Sequence, residues 1–97
     1  HQGVLGLARD GLVTGASGRN WAGCGESIGL PAGFGDAEQA LLNDPQTSGG
    51  LLIAIEPEKS MRLEEELKKR GCMCQAIGRL LPLGEAAIRI TRSRPDR

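Results

Sequence analysis

Ninety-seven residues make one small domain or a section of a larger one, and a chain of this length buries only roughly 60–65% of its unfolded surface. Hydrophobic residues are 39% of the total, Trp21 and Phe34 are the only aromatics, and fifteen glycines raise the entropy cost of ordering, so part of the surface that completes the core is expected on another subunit or on a removed part of the same chain. Twelve basic residues balance twelve acidic ones, which argues against a polyanion partner; the near absence of stacking surface argues against nucleic acid, and no apolar run approaches the roughly 20 residues of a membrane span.

Residues 1–10 lack the basic-then-apolar order of a signal peptide. Val4, Leu5, Ala8 and Leu12 share a helical face, which Gly3 and Gly6 weaken. His1 stands where a methionine is expected and reads as the start of a truncated piece. From residue 11 to residue 35 glycine recurs at short intervals. This predicts a long irregular, glycine-rich loop, either a functional one or a mobile one without a ligand.

Asp36 followed by Gln39 resembles a capping box and predicts a short helix through Leu42, which Pro45 stops. Residues 50–55 then read as a buried strand, an apolar run directly after a turn. Pro57 suits the first position of a helix that runs to Arg70 and is stopped by Gly71. In it Glu64–Lys68, Glu65–Lys69 and Glu66–Arg70 are spaced i,i+4 with the acid first, each pair contributing roughly 0.2–0.5 kcal/mol. Residues 73–80 and 86–91 are further strand candidates, joined by a turn at Pro82 and Gly84. The fold class is α+β: a long Gly-rich loop and a short helix, followed by a β-α-β-β layer, with residues 92–97 as a disordered tail. A parallel pairing of the first two strands of that layer would cross over right-handed.

Two constellations carry chemistry. The first is the turn Asp44-Pro45-Gln46-Thr47-Ser48-Gly49-Gly50. It precedes a predicted strand and lacks the Gly-Lys-Ser/Thr ending, so it is no P-loop and gains nothing from a helix dipole. What it offers an anion is local: the hydroxyls of Thr47 and Ser48, and backbone amides that Gly49 and Gly50 leave uncovered or carry at positive φ. Asp44 could accept from the turn's own amides or face a metal. The alternative is a structural turn satisfied from within. The second constellation is Gly15-Ala16-Ser17-Gly18-Arg19-Asn20-Trp21, where Arg19 could clamp a phosphate with its two-pronged guanidinium and Asn20 support it. A surface arginine paired to a carboxylate is the alternative.

Cys72 and Cys74 would share one face of a strand. A zinc site needs about four ligands, and only the remote Cys24 and His1 could complete one, so core or edge packing is the reading for these thiols. An odd number of cysteines fits a reducing cytoplasm. There is no Ser-His-Asp or Cys-His set, and no complete reaction centre.

The run from Asp44 to Leu52 resembles the C-terminal signature of the selenophosphate synthetase (selenide, water dikinase) family. The stretch from Gly11 to Trp21 is similar to a second C-terminal stretch of that family, ending in the same Arg19-Asn20. Gly18 departs from the tyrosine usual before that arginine. The likeness runs from about Leu7 to Thr91. It implies the last part of an aminoimidazole-ribonucleotide (AIR)-synthetase-related α+β C-terminal domain, packed on an N-terminal ATP-binding domain and found in a homodimer. The implied reaction takes ATP, selenide and water to selenophosphate, AMP and phosphate, with Mg²⁺. The resemblance also implies that the family's catalytic Cys or selenocysteine, its Lys and its metal-binding aspartates fall outside this sequence. Thr47, Ser48, Gly49, Gly50, Asp44, Arg19 and Asn20 are then candidates for the phosphate or nucleotide cleft, with no metal ligand and no catalytic residue among them. A module that only packs or dimerises, and a fragment of a purine-biosynthesis or thiamine-phosphate kinase homologue of the same superfamily, are the alternatives.

Overall fold

The computed structural model describes residues 3–92. Two units divide the chain: one holds residues 3–49 together with 83–92, and the other holds residues 50–82.

The first unit is a small helical layer with a minimal sheet. Helix α1 (Val4–Arg9) forms over Val4, Leu5 and Ala8 of the expected face but stops short of Leu12, ending where Gly11 takes φ 90°. The amides of Gly11 and Leu12 reach back to the carbonyls of Ala8 and Leu7, both at 3.0 Å, the paired bonds of a Schellman cap. Helix α2 (Gly15–Cys24) occupies the stretch predicted as an irregular loop. Its glycines lower helix propensity, but burial of Ser17, whose hydroxyl lies 3.3 Å from that of Thr14, holds the helix in place. One turn of 3₁₀-helix (Gly25–Ser27) leads into strand β1 (Ile28–Gly29). Helix α3 (Asp36–Leu42) follows as expected, and both α1 and α2 pack on it. Its cap falls one residue earlier than the sequence suggested: Gly35 is the N-cap, and its amide donates to Glu38 Oε2 at 3.0 Å. Strand β2 (Ile88–Arg89) closes the unit, running parallel to β1 with Ile28 opposite Ile88 and Gly29 opposite Arg89.

Arg92, predicted as part of the tail, is held. Its Nη2 donates to the Ala32 carbonyl at 3.2 Å, and its guanidinium lies 5.4 Å from the centre of the Phe34 ring. The rest of the expected tail lies outside the described residues.

The second unit contains one regular element, helix α4 (Pro57–Lys69). Pro57 starts it as predicted. Gly71 ends it at φ 73°, its amide bonding the Lys68 carbonyl at 3.0 Å while that of Cys72 bonds the Leu67 carbonyl at 2.9 Å, a second Schellman cap. Ser60, Leu63, Glu64 and Leu67 make its half-buried stripe. The ion pairs seen at its ends are spaced i,i+3, Lys59 with Glu56 at 2.6 Å and Lys69 with Glu66 at 2.9 Å.

The predicted β-α-β-β layer is not formed. Residues 50–55 and 73–80 carry no strand, and of residues 86–91 only Ile88 and Arg89 pair. The expected buried strand is open to solvent: Leu51 is 91% exposed and Leu52 84%. The reason is a shortage of cover. Only Ala8 and Ser17 are buried among the described residues.

One ionic brace ties the helical layer together. Arg9 of α1 donates to Glu38 Oε1 of α3 at 3.0 Å. Glu38's own backbone amide first, then Arg9 and the Gly35 amide, hold its carboxyl below the ordinary carboxylate value, against a small opposing effect of burial. A lowered folded-state value means that the unfolded chain binds the proton more readily, so this contribution is complete above the ordinary value and is lost as pH falls through the lowered one. Thermal unfolding followed across acid pH is expected to show the loss, and Glu38→Gln is expected to flatten that part of the profile.

Candidate functional site

The turn begins where α3 ends. The amides of Asn43 and Asp44 bond the carbonyls of Ala40 and Leu41, both at 3.3 Å, and Pro45 blocks further helix. A tether from α2 fixes this exit. Asn20 Nδ2 donates to the Asn43 carbonyl at 2.9 Å, and Asn43 Nδ2 donates in turn to the Gln39 carbonyl at 2.8 Å. Cys24, one helical turn after Asn20, donates its S–H to the Asn20 carbonyl at 3.1 Å and lies 3.7 Å from Asn43 Oδ1. Asn20 is thus brought to the start of the turn, as a positioning group for the backbone of Asn43. The sequence marked Asn20 as a ligand contact and gave Asn43 and Cys24 no part; amides spaced to span two helices were the signal for that tether.

Within the turn, Asp44 Oδ2 accepts a hydrogen bond from Gln46 Nε2. The Asp44 carboxylate is therefore engaged by a side chain rather than by the turn's amides. Thr47 and Ser48 sit at its exposed crest, and their hydroxyls make no hydrogen bond among the described residues. Gly49 is exposed, with Gln46 Cβ 3.5 Å from where a side chain would begin. Neither Gly49 nor Gly50 has positive φ, so their use is an uncovered backbone and not a left-handed bend. Gly50 opens the second unit.

Arg19 stands on α2 and not in a loop, exposed, with one guanidinium nitrogen 3.8 Å from the Cβ position of Gly15 on its own helix. It makes no ion pair among the described residues, so the expected carboxylate partner is not present there, and no hydrogen bond or ion pair joins it to the turn. The arrangement gathers Asp44, Thr47, Ser48 and Gly49 on one bend, places Asn20 beneath its start, and leaves Arg19 apart.

Among the described residues no group of three or more His, Cys, Asp or Glu side chains is placed to hold a metal ion, and no helix is long and apolar enough to cross a membrane. No cysteine is in a disulfide; Cys24 and Cys72 are exposed and Cys74 half-buried, so the expected core or edge packing is not met at Cys72. The strand meant to carry Cys72 and Cys74 is absent.

Against known proteins, 84 residues of the chain, 87% of it, are 45% identical to a selenide, water dikinase of Rhizobium meliloti, covering 24% of that relative. Over 55 residues, 57% of the chain, it is 58% identical to a selenide, water dikinase of Paraburkholderia xenovorans, covering 16% of it. Over 56 residues it is 59% identical to one of Burkholderia pseudomallei, again covering 16%. The chain spans a quarter or less of the length of these curated relatives. No protein-family profile matches the chain. No solved structure matches it either.

Proposed function

We propose, for a chain that is a relative of part of the selenide, water dikinases, that it is the closing section of such an enzyme's AIR-synthetase-related C-terminal domain. The parent reaction, on this reading, transfers phosphate from ATP to selenide with consumption of water, giving selenophosphate, AMP and phosphate. The section alone is inactive. ATP and Mg²⁺ belong, on this reading, to residues of the parent outside this sequence: among the described residues no group of three or more His, Cys, Asp or Glu gathers to hold Mg²⁺, and no step is assigned to Mg²⁺ on them. The N-terminal ATP-binding domain, a second copy of the chain and a cytoplasmic setting complete the proposal.

The observation that carries a direct role is the crest at Thr47 and Ser48, two exposed hydroxyls without a partner among the described residues. Together with the uncovered backbone at Gly49 they form a neutral donor set for a phosphate. Neutral donors fixed in advance stabilise charge as it develops, with little reorganisation. A second reading rests on a different observation: Gln46 satisfies Asp44 from within the turn, and Asn20 holds its start, as a purely structural bend would require.

The test of the activity is direct. The complete parent chain, given ATP, Mg²⁺ and selenide without oxygen, is expected to yield AMP, phosphate and a selenium-bonded phosphorus resonance by ³¹P NMR. ADP as the product, or AMP formation that does not depend on selenide, overturns the assignment.

A further inference from the structure

Cys72-Met73-Cys74 places three sulfur side chains in a row, and the reading above gives them no task. Their setting is specific. The backbone of Cys72 is pinned by its amide to the Leu67 carbonyl at the cap of α4, while its side chain is exposed and makes only a 3.9 Å contact to the Arg70 carbonyl. Met73 is 91% exposed and Cys74 half-buried. Residues 72–80 form no helix, turn or strand, so no sheet claims these side chains.

We propose that residues 72–74 bind one soft monovalent metal ion, Cu(I), between the sulfurs of Cys72 and Cys74. Softness decides the ion. Thiolate and thioether ligands select Cu(I) over the harder divalent metals. Zinc requires a fuller shell, and no third His, Cys, Asp or Glu joins the pair. Geometry permits a bridge: α-carbons two residues apart are separated by at most about 7 Å. An ion between two sulfurs asks less of the backbone than a disulfide, whose sulfurs must approach to about 2.05 Å with a fixed torsion. Charge agrees as well. Two thiolates and one Cu(I) leave a net charge of −1, and the adjoining end of α4 carries Lys68, Lys69 and Arg70, with Lys69 shared with Glu66. Binding forms two S–Cu bonds, releases the two thiol protons to solvent and transfers no electron.

The test uses the 97-residue chain, reduced and free of oxygen, titrated with Cu(I) against a chromophoric Cu(I) chelator. One ion per chain is expected, with an ultraviolet thiolate-to-copper absorption band and two protons released at neutral pH. Cys72→Ser/Cys74→Ser is expected to lose affinity by more than about 100-fold, beyond the range of about 10–100-fold typical of losing an outer-shell partner, with its circular dichroism unchanged because these side chains are largely solvated. Cys24→Ser is expected to bind as the parent does. Equal binding by the double variant, or loss of binding in Cys24→Ser, overturns the site.

Discussion

Thr47→Ala/Ser48→Ala in the complete parent enzyme is expected to lower kcat/KM for ATP about 10- to 100-fold, since a hydrogen bond to a charged group contributes about 1.5–3 kcal/mol and 1.4 kcal/mol is a factor of ten. Thermal stability should not move, because both hydroxyls are exposed and make no bond among the described residues. The two readings of the bend separate here. If the donors meet phosphate, kinetics change and the melting temperature does not. If the bend only packs, stability falls and the surviving molecules turn over normally. Unchanged kinetics with unchanged stability would remove both roles from the hydroxyls.

Gly25→Ala is expected to have the largest effect on the fold. A side chain begun at Gly25 would stand 2.6 Å from Cε2, 2.8 Å from Cδ2 and 2.9 Å from Nε1 of the Trp21 indole. These are ring atoms near the body of a large side chain, so the whole indole must swing away. Overpacking of this kind costs about 1–3 kcal/mol, and each kcal/mol moves the midpoint of a domain of this size by about 4–8 °C. Trp21 is the sole tryptophan, so its fluorescence reports the displacement directly. Gly18 and Gly23 lie on the same helix with open space around them. Gly18→Ala and Gly23→Ala should instead stabilise it, by about 0.5–1 kcal/mol each. Equal effects at Gly25 and Gly23 would show that the indole is not the obstacle.

What could be read from the sequence was the part set by neighbours along the chain. Pro57 and Gly71 bracket α4 through their own backbone preferences. Helix α3 was legible from a capping-box pattern and from Pro45, although the cap is Gly35 with Glu38 and not Asp36 with Gln39. Helix α2 was missed because its glycines speak against a helix, while the contacts that hold it, Ser17 beside Thr14 and Asn20 on Asn43, come partly from another element. The strands failed for the converse reason. A strand is completed by its neighbours, and the apolar residues Leu51, Leu52 and Ile77 find no cover among the described residues. At the site, the residue types of the bend were visible in advance; the tether of Asn20 to Asn43 was not, because it depends on α2 being a helix.

The register of Ile28 with Ile88 joins positions sixty residues apart. Bringing such distant points together costs about 3–4 kcal/mol of chain entropy before any contact repays it, and two residues of ladder repay little. Synthesis on the ribosome therefore reaches α1, α2 and α3 long before Ile88 exists. The three helices can associate first, with Gly29 at an unfinished edge until the far end of the chain emerges to meet it.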